Sequence, residues 1–190
     1  MISTRYMRLV EHQVSVVEDF AVTYTSDELI EIMKIYWDQL QDAVLARNPD
    51  DAVYYRVLES NLRGISAAAL AWVSHHSVSA DRSTPAQLAA YAIDLHQRKN
   101  AGYAGADNPD PWANFRESTG VGVSSLQGVL VRMSDKWIRV RNLLRRPQDE
   151  QVGETIMDTM FDLSAYALIA LCLMIEAESG VSEYEVYGTW

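Results

Sequence analysis

A single cysteine in 190 residues, Cys172, excludes a disulfide framework within the chain and makes the reducing cytoplasm the expected compartment. The opening residues, MISTRYMRLVEHQ, hold no apolar block, so a secretory leader is not expected. The longest apolar stretch, 163–175, is broken only by Ser164. It falls short of the roughly 20 residues a membrane span requires and reads as a buried helix. A Walker lysine loop, a GxSxG elbow, a CxxC pair and a HExxH helix are all missing. Cys172 lies inside the apolar stretch, so a cysteine nucleophile has no support. Cations are scarce as well. Sixteen Lys and Arg stand against 26 Asp and Glu, and the net charge of −10 disfavours a general affinity for DNA or RNA backbone.

What is present is a hydrophobic content of 48%, enough to bury a core in a chain of one-domain length. The few cations are unevenly placed. Nine of the 16 (Arg98, Lys99, Arg116, Arg132, Lys136, Arg139, Arg141, Arg145, Arg146) fall within 98–146, with only four acids, Asp107, Asp110, Glu117 and Asp135. A local cationic segment in an acidic protein suits a small anionic ligand better than a polyanion. A solvated basic helix face is the alternative.

Periodicity predicts an all-α chain, an antiparallel helical bundle with a helical N-terminal extension. Leu29, Met33, Tyr36, Leu40 and Val44 recur at helical spacing over 26–46, with Ser26 as cap. A second helix covers about 50–73, with an interruption at Gly64. Residues 4–24 mix helical spacing with the strand-prone Phe20–Tyr24 and lean to helix. The polar segment 77–85 is the best boundary, dividing an N-terminal extension, 1–80, from a second region, 81–190. Thr84-Pro85 opens a helix reaching about 100. A Gly-, Asp-, Asn- and Pro-rich loop follows over 101–111, then a turn of helix around 112–116. Two long helices, about 124–145 and 152–178, close the chain. The short Pro147–Gly153 connection makes them antiparallel neighbours.

The last helix carries the strongest chemical signal. Glu154, Asp158 and Asp162 fall at i, i+4 and i+8 on one face, and Asp162 lies where the helix is apolar on nearly every side. A buried carboxylate costs several kcal/mol unless paired or metal-bound, so something must compensate. Two answers stay open: Lys or Arg from the preceding helix, or a divalent metal held by oxygen ligands, Mg²⁺ before Mn²⁺. The preceding helix offers Arg132, Lys136 and Arg139 on one face, with Asp135 at its edge. Lys99, followed by Gly102 and Gly105, is placed to reach a phosphate, and Tyr103, Trp112 or Phe115 to stack on a base.

Three blocks, KNAGYAGADNPDPWANF, GVLVRMSDKWIRVRNLL and ETIMDTMFDLSAYALIAL, resemble the first type of the phage nucleotide-modification-associated domain family. The resemblance covers about 95–176. That family is similar to the MazG-like all-α nucleoside triphosphate pyrophosphohydrolases. The resemblance implies Asp135, Asp158 and Asp162 as metal-associated, catalytic acids, and Lys99, Asn100, Tyr103, Asn114, Arg132 and Lys136 as the nucleotide site. It implies a phage-encoded, Mg²⁺-dependent enzyme that releases pyrophosphate from a nucleoside triphosphate, and a homo-oligomer, with a dimer favoured. Two departures stand out. The MazG arrangement of paired glutamates and a later ExxD is not present, and Gly102 replaces an acid common in the family. A nucleotide binder without hydrolysis is therefore the second expectation, and a helical interaction protein with structural ion pairs the third.

Overall fold

A computed structural model describes residues 3–46, 52–77, 82–105, 108, 110–146 and 155–179. Seven α-helices occur among them and no strand: α1 (Thr4–Thr23), α2 (Ser26–Ala46), α3 (Ala52–His76), α4 (Pro85–Ala104), α5 (Ala113–Arg116), α6 (Ser125–Arg145) and α7 (Ile156–Ser179). A 3₁₀ turn, Glu117–Val121, follows α5. The all-α expectation is met.

Local chemistry sets the helix starts. Ser3 caps α1 by accepting from the Tyr6 N–H at 3.0 Å, and the strand-prone Phe20–Tyr24 stays helical as far as Thr23. Thr84 and Gln87 form a reciprocal capping box at α4, and Ser124 and Gln127 do the same at α6. The cap of α2 is Thr25 rather than Ser26. The Thr25 N–H donates to Glu28 Oε2 at 2.7 Å, and the Glu28 N–H donates back to Thr25 Oγ1. Each such cap is worth about 1 kcal/mol.

Two boundaries differ from the sequence expectation. The second helix runs unbroken through Gly64 because the glycine serves a close approach: a Cβ there would collide with the Tyr36 ring of α2. In addition, α4 continues to Ala104, so residues 101–104 extend the helix where a loop was expected from 101 onward. The chain leaves the helix at Gly105, whose φ of +87° favours a residue without Cβ.

The core is organised around α7, which packs against α3 on one side and α6 on another. Phe161, Leu168 and Leu171 are buried, and the buried hydroxyls of Ser66 on α3 and Ser164 on α7 hydrogen-bond at 2.9 Å. This helix is long and apolar enough to cross a membrane, yet 78% of its apolar window is buried in the bundle, as a core helix requires. α1 contacts α3, α4 and α7, so the N-terminal helices share one apolar cluster with the C-terminal ones.

Candidate functional site

Asp162 sits in the second turn of α7 with only 5% of its surface exposed. Lys99 of α4 and Lys136 of α6 both reach it. Lys99 Nζ donates to Asp162 Oδ1, and Lys136 Nζ to Oδ2 at 2.9 Å. One carboxylate is thus bridged by two ammonium groups from different helices, and the triad carries one excess positive charge. Lys99 has 41% of its side chain exposed, so the excess charge faces water.

A narrow cleft opens beside the triad. Ala92, Leu95, Phe161 and Ile169 form its apolar walls, and Lys99, Asn100, Tyr103 and Asp162 stand among its polar and aromatic lining. It has room for on the order of two water molecules. Phe115 and Tyr166 complete the wall, their rings edge to face at 6.2 Å. The Arg132 guanidinium lies 5.6 Å from the Phe115 ring centroid. The Tyr166 hydroxyl is held above its ordinary pKa by burial and by the Asp162 charge, against the opposing pull of Arg132, Lys136 and Lys99. The same three cations therefore act on a single point.

Deep in the cleft are groups that a ligand can use. His96 is 93% buried, counting from its 7% exposure, and its Nε2 has no hydrogen-bond partner. Burial lowers its pKa to about 4, so the ring is neutral near pH 7. The buried Oδ1 of Asn114 is also without a partner. Unpaired buried polar atoms are costly, and their position in a cleft points to a bound polar group. Tyr6, whose ring lies 4.4 Å from that of His96, is fully buried and its hydroxyl is held protonated by burial.

The other sequence candidates are dispersed. Asp158 takes part in the start of α7: its Oδ2 accepts from the Thr155 N–H at 3.0 Å and from the Thr155 hydroxyl at 2.8 Å. Asp135 is exposed on α6, and as the immediate neighbour of Lys136 it points to a different side. Glu154 lies outside the described residues. Among the described residues no group of three or more His, Cys, Asp or Glu is gathered as a metal site. In this arrangement both oxygens of Asp162 are on lysines and Asp158 is engaged in capping. Arg139 Nε donates to Thr159 Oγ1 at 3.2 Å, which turns it toward α7. Trp112 is fully buried, with its indole N–H on Glu176 at 3.2 Å, and is not available to stack on a base. Tyr103, 67% exposed at the cleft mouth, is available.

Its place three residues before Lys99 lets His96 face the same site, although the sequence favours a surface histidine; Glu176 the sequence does not single out. Both left a signal. Leu88, Ala92, His96 and Asn100 recur every four residues on α4 and all are buried. Glu176 ends the apolar run of α7, fourteen residues and nearly four turns after Asp162. No family model matches the chain, and comparison with curated proteins and with solved structures also finds no match.

Proposed function

We propose that the cleft between α4, α5 and α7, whose Asp162 is also reached by Lys136 of α6, binds the phosphate of a nucleotide. The observation that supports this reading most is the Lys99–Asp162–Lys136 triad: a buried acid with one lysine too many, at the mouth of an aromatic-lined cleft. A structural ion pair needs one cation, and a second one leaves a standing attraction for an anion. Lys99 and Lys136 would grip the phosphate as point charges, and Arg132 lies near enough to add a third contact. Tyr103 offers a face for the base, with His96 and Asn114 deeper in the cleft for its polar edge.

Hydrolysis is the second reading. It draws on the three sequence blocks and on the placement of Asp135 and of Asp158 and Asp162 on neighbouring antiparallel helices. It requires Asp162 to exchange a lysine for Mg²⁺ or Mn²⁺. The two readings separate in one experiment on the full chain, a panel of nucleoside mono-, di- and triphosphates scored for melting shift and for product, with and without Mg²⁺. Binding predicts stabilisation by about RT ln(1 + [L]/Kd), near 2.7 kcal/mol at a hundredfold excess over Kd, without Mg²⁺. Hydrolysis predicts pyrophosphate release that depends on metal. If no nucleotide shifts the melting temperature and none is cleaved, the triad is structural and the proposal falls.

A further inference from the structure

The two ends of the cleft suit different kinds of group. At the inner end His96 Nε2 and Asn114 Oδ1 are buried without hydrogen-bond partners. Burial also keeps the His96 ring neutral near pH 7. Leu95, Phe161 and Ile169 stand in the same lining, so an anion placed there would lose its water and gain no cation. An uncharged ring with a polar edge suits that end. The two lysines stand at the other end, on Asp162. A nucleotide therefore enters base first, and the phosphate next to the sugar is the one that meets Lys99 and Lys136.

Positive charge at the outer end is limited. Arg132, one turn before Lys136 on α6, holds its guanidinium 5.6 Å from the Phe115 ring centroid. Among the described residues it forms no ion pair. Arg132, Lys136, Lys99 and Asp162 are the charges felt at the Tyr166 hydroxyl in the cleft wall. Three cations less one acid leave two positive charges. Above its second pKa of about 6, a phosphate monoester carries about two negative charges and three free oxygens. The same phosphate inside a triphosphate has given one of those oxygens, and about one charge, to the bridge. It is the poorer match for the three cations. Phosphates farther out find little to hold them. Lys99 is the one cation in the described lining of the cleft, Arg98 is paired with Asp94, and Arg139 donates to Thr159. Asp158 lies one turn from Asp162 on the same face of α7, in a chain of net charge −10. A second and third phosphate therefore meet water and acid.

We infer that the cleft takes a nucleoside monophosphate in preference to the diphosphate or triphosphate of the same nucleoside. This rests on the nucleotide reading of the same site and adds to it the number of phosphates. The test is calorimetry on the full chain at pH 8 in EDTA, with the mono-, di- and triphosphate of one nucleoside and with inorganic phosphate. The monophosphate should bind tightest, about tenfold tighter than the triphosphate, as expected for two excess charges at a partly exposed site. Inorganic phosphate should bind more weakly than the monophosphate, because it leaves the inner end unfilled. Arg132→Gln removes a charge from an exposed position, and it should weaken the monophosphate more than the triphosphate. Affinities that are equal across the series, or that rise with each added phosphate, overturn the inference and leave the nucleotide reading standing. A preference for the monophosphate that Arg132→Gln leaves unchanged also overturns it, by removing the charge match as its cause. If no nucleotide binds, both the inference and the reading beneath it fall.

Discussion

α7 buries two carboxylates about 21 Å apart along its axis, and the surrounding protein treats them differently. Glu176, near the C-terminal end, accepts from Arg116 at 2.9 Å and from the Trp112 indole at 3.2 Å, with Arg5 at 3.8 Å. Arg116 is shared with Asp110 at 2.7 Å. Two acids and two arginines balance there, and the planar guanidinium and the indole fix the geometry. Asp162, near the other end, is met by two lysines, which leave a positive excess on flexible stems beside a cleft. Arginine and tryptophan complete a structural joint. Paired lysines leave a charge ready for use.

Breaking the structural end should have the largest effect. Glu176→Ala leaves the Trp112 N–H and the Arg116 guanidinium short of a partner, and we expect a loss of roughly 3 kcal/mol of stability by chemical denaturation. Nucleotide-induced stabilisation of the remaining folded fraction should persist. If Glu176→Ala abolishes it, the two ends of α7 are not separate in role.

A second effect, of about the same size, comes from pH. His96 has its pKa lowered by burial from 6.5 to about 4. Between those values the unfolded chain binds a proton that the folded chain does not, so folding stability rises with pH across that window. Stability from this group is complete above about 6.5 and falls as pH drops toward 4, by about 1.4 kcal/mol per pH unit at most. His96→Phe should flatten the profile over pH 4–6.5 in urea titrations. An unchanged slope would remove His96 as its cause.

At the cleft, Lys99→Ala should weaken nucleotide binding about ten- to a hundredfold, the range for one charge-assisted contact, read by isothermal calorimetry. Loss at the lower end is expected because Lys99 is 41% exposed and screened. Tyr103→Ala should cost less, since the ring is mostly in water. Equal affinities for wild type and both variants would place the ligand elsewhere.

Much of this was legible in the sequence. The helical periods and caps gave the element order, and the short connection after α6 made α6 and α7 antiparallel neighbours. The isolated acid in the apolar run of α7 called for a cation from α6 or a divalent metal, and Lys136 provides a cation. The second cation was not legible. Lys99 lies 63 positions from Asp162, and only the packing of α4 beside α7 brings it there. Spacing alone grouped Asp158 with Asp162, but the residue before α7 is a threonine, and the local capping geometry took Asp158. The glycines at 102 and 105 suggested a loop from 101 onward, yet the α4 helix propagates through Gly102 and breaks only at Gly105. Trp112 read as a stacking aromatic because nothing local revealed its distant partner, Glu176.

The affinity of Asp162→Asn for a nucleoside triphosphate, measured by calorimetry without divalent metal, tests the central claim most directly. Removing the competing negative charge frees both lysines, so the account predicts binding about tenfold tighter, or about 1.4 kcal/mol, in a chain that is less stable without ligand. Weaker or absent binding in the folded variant would contradict it, because the carboxylate would then itself hold the ligand or its metal.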